Sequence, residues 1–269
     1  MWIAELAILL ALACAGLIAL GYLAQTWMIF PSHLVAEAAG ELPTAATRFT
    51  IATPDGERLA ALRLPTADAA GRARPLILGF GGNGWNAQTM GLLLHRLLPD
   101  HDVVVAYYRG YRPSTGRPSA VAIMADALTV HDRVARLSGV IAVGFSIGSA
   151  IAAHLAAERP LSGLVLVTAF DSLRELAHYH YPWAPVRLLL RHRIETAELV
   201  RRVKAPTAVI IAERDAVVPA SRSRPVLEAV QHLVYQHAVA GAGHNDVYDL
   251  PDFAEAIRQA IDQIEELRR

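Results

Sequence analysis

Four runs of almost uniformly apolar residues, 76–80, 103–107, 140–145 and 164–168, recur along this chain, and each is followed by a helical stretch or an irregular segment. A strand with one face in water alternates apolar and polar side chains, whereas a strand covered on both faces has no reason to alternate. The runs therefore predict an α/β fold, a mostly parallel central sheet with helices on both faces, because parallel neighbours need a crossover long enough to hold a helix. Two further strands are expected at 208–212 and 234–240. A closing helix is expected from about Asp252 to Arg268, where Phe253, Ile257, Ile261 and Ile264 recur at helical spacing. Ahead of the runs, 48–52 and 58–64 do alternate, around the turn residues Thr53-Pro54-Asp55-Gly56, and read as an antiparallel hairpin. A polar, glycine-containing linker, 66–74, separates the hairpin from the first buried run.

The first 30 residues are of a different kind. Residues 6–24 carry no charge, and at about 1.5 Å rise per residue such a helix is roughly 28 Å long, close to the hydrocarbon thickness of a bilayer. Trp2, Tyr22 and Trp27 near its ends suit an interfacial aromatic belt. The rival is a cleaved signal peptide. Against it, no Lys or Arg precedes the run, the run is long for a signal h-region, and no polar stretch with a cleavage site follows. Leu12-Ala13-Cys14 only faintly resembles a lipoprotein box, since its cysteine falls inside the apolar run. Residues 1–30 thus read as a single-pass anchor, with 31–269 as the folded domain. No Lys or Arg occurs before Arg48, so the side of the membrane is not assigned. With 25 Lys+Arg against 25 Asp+Glu, no basic field points to nucleic acid. Cys14 is the one cysteine, so the folded part offers no disulfide, zinc cluster or cysteine nucleophile.

Chemistry concentrates at Gly144-Phe145-Ser146-Ile147-Gly148, between the 140–143 apolar run and the alanine-rich helical stretch 149–158. Flanking glycines permit a sharp strand-to-helix turn that exposes Ser146; the bland reading is that Ser146 merely caps the helix. A serine needs a base within hydrogen-bond reach and an acid that orients the base. His244, in Gly241-Ala242-Gly243-His244-Asn245-Asp246 after the last strand, is the candidate base. Asp215, following the 208–212 strand and 29 residues before His244, is the candidate acid, with Asp171 a rival and Glu213 a weaker one. Oxyanion donors are expected from the backbone N–H of Ile147, at the positive end of its helix, and from Gly82 in Phe80-Gly81-Gly82-Asn83-Gly84. Residues 171–204 break the strand–helix rhythm and read either as a packed excursion or as a small cap over the site. His178 and His180 there lack a third ligand at sensible spacing for a metal.

Phe80-Gly81-Gly82-Asn83-Gly84, Tyr108-Arg109-Gly110-Tyr111 followed by Ser114-Thr115-Gly116, the serine turn, and Gly243-His244-Asn245-Asp246 together resemble the α/β-hydrolases, and more closely the membrane-anchored ABHD13/BEM46-like serine hydrolases. The resemblance runs from about residue 48 to the C-terminus and extends to the N-terminal anchor. It implies a Ser146–Asp215–His244 triad that hydrolyses esters, thioesters or amides with no metal and no cofactor; membrane attachment and the apolar, aromatic 171–204 segment favour a small-molecule or lipid-like acyl substrate. Phe80 departs from the His common before this glycine pair, and Tyr107 from a common Asp before Tyr-Arg. Two other classes compete. Residues 79–84 also satisfy G-x-G-x-x-G, with Arg109 as a partner for a 2′-phosphate, which would suit a dinucleotide-binding oxidoreductase. A catalytically silent hydrolase fold that binds a partner or lipid is the other.

Overall fold

The computed structural model describes residues 2–66, 74–135 and 139–268, so most of the expected linker, 67–73, lies outside the described residues. In chain order the elements are α1 (Trp2–Ile29), β1 (Thr47–Ala52), β2 (Arg58–Leu64), β3 (Leu76–Phe80), α2 (Ala87–Leu97), β4 (Val103–Ala106), α3 (Ala120–Val134), β5 (Val140–Phe145) and α4 (Ile147–Glu158). They continue with β6 (Gly163–Val167), α5 (Leu173–His180), α6 (Val186–Leu189), α7 (Thr196–Val200), β7 (Thr207–Ala212), α8 (Ala220–Ala229), β8 (Leu233–Val239) and α9 (Pro251–Glu266). The strands form an eight-stranded sheet in the order β1-β2-β4-β3-β5-β6-β7-β8. Only β2 runs against its neighbours, pairing antiparallel with β1 and β4; every other pairing is parallel.

The pleat sorts side chains between two cores. Along β5, Val140 and Ala142 face the cluster that holds α3, α4 and α8, through Ile123, Ile151 and Val226. Ile141, Val143 and Phe145 face the cluster that holds α2 and α9, through Leu94, Phe253 and Ile257. The five residues of β6 are all buried, as its apolar run requires. The sheet is thus mostly parallel and covered by helices on both faces, as expected. Strand ends differ from the sequence reading by a residue or two, for local reasons. β6 begins at Gly163, where a Cβ would stand 2.4 Å from Ile264 Cγ2, so the bare backbone lets α9 approach. The hairpin closes through Thr53 O, which accepts from Gly56 N at 3.0 Å, and Gly56 takes φ +88°. Residues 171–204 fold into α5, α6 and α7 with their connections.

α1 is long and apolar enough to cross a membrane: 28 residues, with an 18-residue window of mean hydropathy 2.5 that is not buried in the protein.

Candidate active site

Four loops at the carboxyl ends of parallel strands converge, after β3, β5, β7 and β8. Ser146 follows β5 in a turn with φ 53° and ψ −119°, a backbone region that side chains other than glycine rarely adopt. Its N–H donates to Val167 O at 2.9 Å, and Ser149 Oγ, fully buried, donates to Gly144 O and Val167 O at 2.8 and 3.0 Å. The flanking glycines are sterically required. A Cβ on Gly144 would lie 2.4 Å from Gly148 O, and one on Gly148 would lie 2.1 Å from Phe80 O. Ser146 itself makes no side-chain cap bond to α4, which removes the bland reading of a capping serine.

His244 Nε2 lies 3.1 Å from Ser146 Oγ, and His244 Nδ1 lies 2.6 Å from Asp215 Oδ2. A carboxylate only accepts, so Nδ1 is the donor in this pair, and in the neutral imidazole Nε2 then presents its lone pair to the serine hydroxyl. Asp215 is held in turn: its Oδ1 accepts from the N–H groups of Val217 and Val218 at 2.8 and 2.6 Å, and its side chain is 2% exposed. The rival acids are engaged elsewhere. Asp171 pairs with Arg222 at 3.1 Å and accepts from Ser172 N, and Glu213 accepts from Gly241 N at 2.7 Å.

Gly82 borders Ser146, since a Cβ there would be 3.8 Å from Ser146 Cβ. Ile147, as the first residue of α4, has an N–H with no acceptor inside its own helix. The glycine loop is held by two tyrosines to which the sequence reading gave no role. Tyr108 Oη donates to Gly81 O at 2.8 Å and Tyr111 Oη to Asn83 O at 2.6 Å. Burial pushes both phenols above their ordinary range, which keeps them protonated donors. No sequence periodicity signals this reach, because it links the loops after β3 and β4, two adjacent strands.

The site opens into a cleft of about 740 Å³ with an apolar wall of Trp85, Leu92, Leu93 and Tyr248, and with Arg96 at its edge. Trp85, Phe145, Tyr248 and Phe253 pack edge-on or tilted with centroids 4.7–6.5 Å apart, which fixes the residue preceding Ser146. Burial raises the Tyr248 phenol to about 12. A second wall, unforeseen from sequence, is the chain leaving α1: Ala39 and Gly40 line the cleft, pinned by Ala39 N to Thr89 Oγ1 at 3.0 Å and Gln88 Nε2 to Gly40 O at 3.0 Å. No residue of 171–204 lines the cleft. Arg109, which the oxidoreductase reading would offer to a phosphate, is buried and committed to Asp126 at 2.5 and 2.7 Å and to Asp55 at 2.7 Å.

No protein-family model matches the chain. It is 34% identical over 247 residues to an uncharacterized protein of Mycobacterium tuberculosis, covering 88% of this chain and 86% of that one. It is 28% identical over 228 residues to the lysophosphatidylserine lipase ABHD12 of Gallus gallus, covering 72% of this chain but 60% of that protein. The crystal structure of a bacterial membrane phospholipase A superposes with a TM-score of 0.65 at 15% identity, covering 98% of each chain, which is a likeness of fold.

Proposed function

Because the chain belongs to the α/β-hydrolase superfamily, we propose that it is a serine hydrolase that cleaves carboxylic ester or thioester bonds of lipid-like acyl substrates through Ser146, His244 and Asp215. The observation that carries this reading is the unbroken hydrogen-bond chain Asp215–His244–Ser146 at the base of a partly apolar cleft. In this mechanism His244 Nε2 takes the proton of Ser146 Oγ as the oxygen attacks the acyl carbonyl, and Asp215 stabilises the imidazolium that forms. The N–H groups of Gly82 and Ile147 receive the oxyanion; a donor of this kind is worth roughly 10²–10³ in rate. His244 then protonates the leaving group, and a water activated by the same nitrogen releases the acid. An acyl chain would lie along Trp85, Leu92 and Leu93. Support for a lipid-like substrate comes from that wall, from α1 as a membrane anchor over residues 1–30, and from the lipase among the relatives.

Labelling by a fluorophosphonate, which reacts only with activated serines, tests the reading. Wild type should label and Ser146→Ala should not. Absence of labelling in folded wild type would instead favour a silent hydrolase fold that binds lipid or a partner. Asp215→Asn should fold normally and lose turnover by roughly four orders of magnitude; full activity would pass the acid's role to Asp171.

A further inference from the structure

α1 does not leave the folded domain as a free tether. Gln25, buried near the helix's carboxyl end, donates from Nε2 to Leu189 O at 3.3 Å and accepts from Arg191 N at 2.7 Å. Thr26 Oγ1 lies 2.8 Å from His192 Nε2, and Phe30 packs edge-on against the His192 ring at 5.3 Å. Arg191 stacks over the Tyr22 ring at 4.9 Å and donates to Tyr22 O. These contacts fix residues 189–192 beside Tyr22–Thr26. That level follows directly on the uncharged run, where hydrocarbon would give way to headgroups.

From this fixed point the preceding segment displays what a soluble surface normally hides. Of nine large hydrophobic side chains exposed beyond residue 30 among the described residues, four fall within 179–188: Tyr179 at 54%, Tyr181 at 46%, Trp183 at 74% and Leu188 at 87%. Trp27 and Leu34, at the base of α1, are exposed at 69% and 72%. Arg191 and Arg193 are exposed on the same stretch, and Arg187 is paired with Glu175. Exposed aromatic rings and a leucine, followed along the chain by arginines, are the composition of a surface lying at a bilayer interface, with rings at headgroup depth and guanidinium groups near phosphates.

We propose that residues 179–188 form a second membrane contact, seated in the headgroup–acyl boundary of the bilayer that holds α1. The proposal rests on the reading of α1 as an anchor. It also ties the bilayer to the chemistry, since His180 Nε2 donates to Val217 O at 2.8 Å and Val217 N–H holds Asp215. The segment at the membrane is thus one hydrogen bond from the loop that carries the acid.

Depth-dependent quenching tests it in the full chain. In a Cys14→Ala background, single cysteines at Leu12, Trp183, Leu188 and Asp262 are labelled with NBD and reconstituted into phosphatidylcholine–phosphatidylglycerol vesicles containing lipids spin-labelled at shallow or deep positions. The expected result is deep quenching at Leu12→Cys, and shallow quenching at Trp183→Cys and Leu188→Cys at least threefold above the background quenching at Asp262→Cys. Deep quenching at Leu12→Cys with positions 183 and 188 no different from 262 would overturn the second contact and leave the anchor standing. No quenching at Leu12→Cys would overturn the anchor, and the proposal with it.

Discussion

Ser146 keeps its unfavourable backbone angles because the atoms around it leave no alternative, and Gly148 is where that constraint is tightest. A Cβ on Gly148 would meet Phe80 O at 2.1 Å and Gly81 O at 2.6 Å, backbone atoms that cannot rotate away as a side chain could. Gly148→Ala should therefore push the glycine loop off α4, costing about 3 kcal/mol in denaturant unfolding and slowing fluorophosphonate labelling at least tenfold. Gly84 is the internal control: it belongs to the same loop, a Cβ there meets nothing within 4 Å, and Gly84→Ala should leave stability and labelling within error. Tyr108 acts on the same loop by hydrogen bonding. Tyr108→Phe removes the donor to Gly81 O while keeping the ring, so stability should fall by about 1 kcal/mol. If that bond positions the Gly82 N–H, kcat on a soluble ester should fall about tenfold with KM nearly unchanged, as expected for a group felt mainly in the transition state. Equal changes in kcat for Tyr108→Phe and Tyr111→Phe, with no change in labelling rate, would reduce both to packing.

At the scale of elements, Arg109 ties three pieces of the fold that are remote in sequence. It emerges after β4, holds Asp126 of α3 with two donors, and reaches Asp55 in the β1–β2 turn. Its two partners differ in burial: the Asp126 side chain is 7% exposed and that of Asp55 is 57% exposed. Asp126→Asn leaves a buried guanidinium without its main counter-charge and should cost about 3 kcal/mol, whereas Asp55→Asn, at an exposed carboxylate screened by water, should shift the urea midpoint far less. Similar losses from both would mean that the exposed hairpin turn holds Arg109 as firmly as α3 does. The same contrast explains what was legible in the sequence. The buried strands announced themselves because residues such as Ile141, Val143 and Val165 have protein on both sides, and the serine turn because glycines are forced on each flank. The loops bearing Asp215 and His244 could be placed because they follow such strands. The sequence ranks Asp215 ahead of Asp171 but does not exclude the rival, because both follow buried strands and only the spatial closure onto His244 separates them. The second wall of the cleft was illegible for another reason: 36–40 is held by backbone groups meeting Asn86, Gln88 and Thr89, and backbone contacts leave no pattern in side-chain identity.

Across the whole molecule, buried histidines make the fold sensitive to acid in a range where ordinary carboxylates are still ionised. His101 is enclosed between the turn before β4 and Glu265 of α9, His154 is partly buried on α4, and His192 is buried at the foot of α1. For all three, burial is the leading cause that lowers the pKa below the ordinary 6.5, since an imidazolium loses hydration it cannot recover inside the protein. Just below pH 6.5 the unfolded chain therefore binds protons that the folded chain refuses. Stability then rises with pH across this interval and is lost as pH falls below about 6.5. Glu265 moderates the effect at His101, because a nearby carboxylate raises the pKa that burial lowers. Asp126, Asp171 and Glu195, raised by burial, act in the opposite sense further down the scale, so the experiment must be differential. Thermal unfolding of the full chain in detergent, from pH 7.5 to 5.5, should show a falling midpoint in wild type. The fall should be distinctly shallower in His101→Gln/His154→Gln/His192→Gln, whatever that variant's absolute stability. Parallel curves for the two proteins would show that these imidazoles take up protons as freely in the folded chain as in the unfolded one. If a single His192→Gln variant accounts for most of the difference, the acid-sensitive part of the structure is the joint between α1 and the folded domain, because Thr26, Phe30 and Ala120 all meet at that ring.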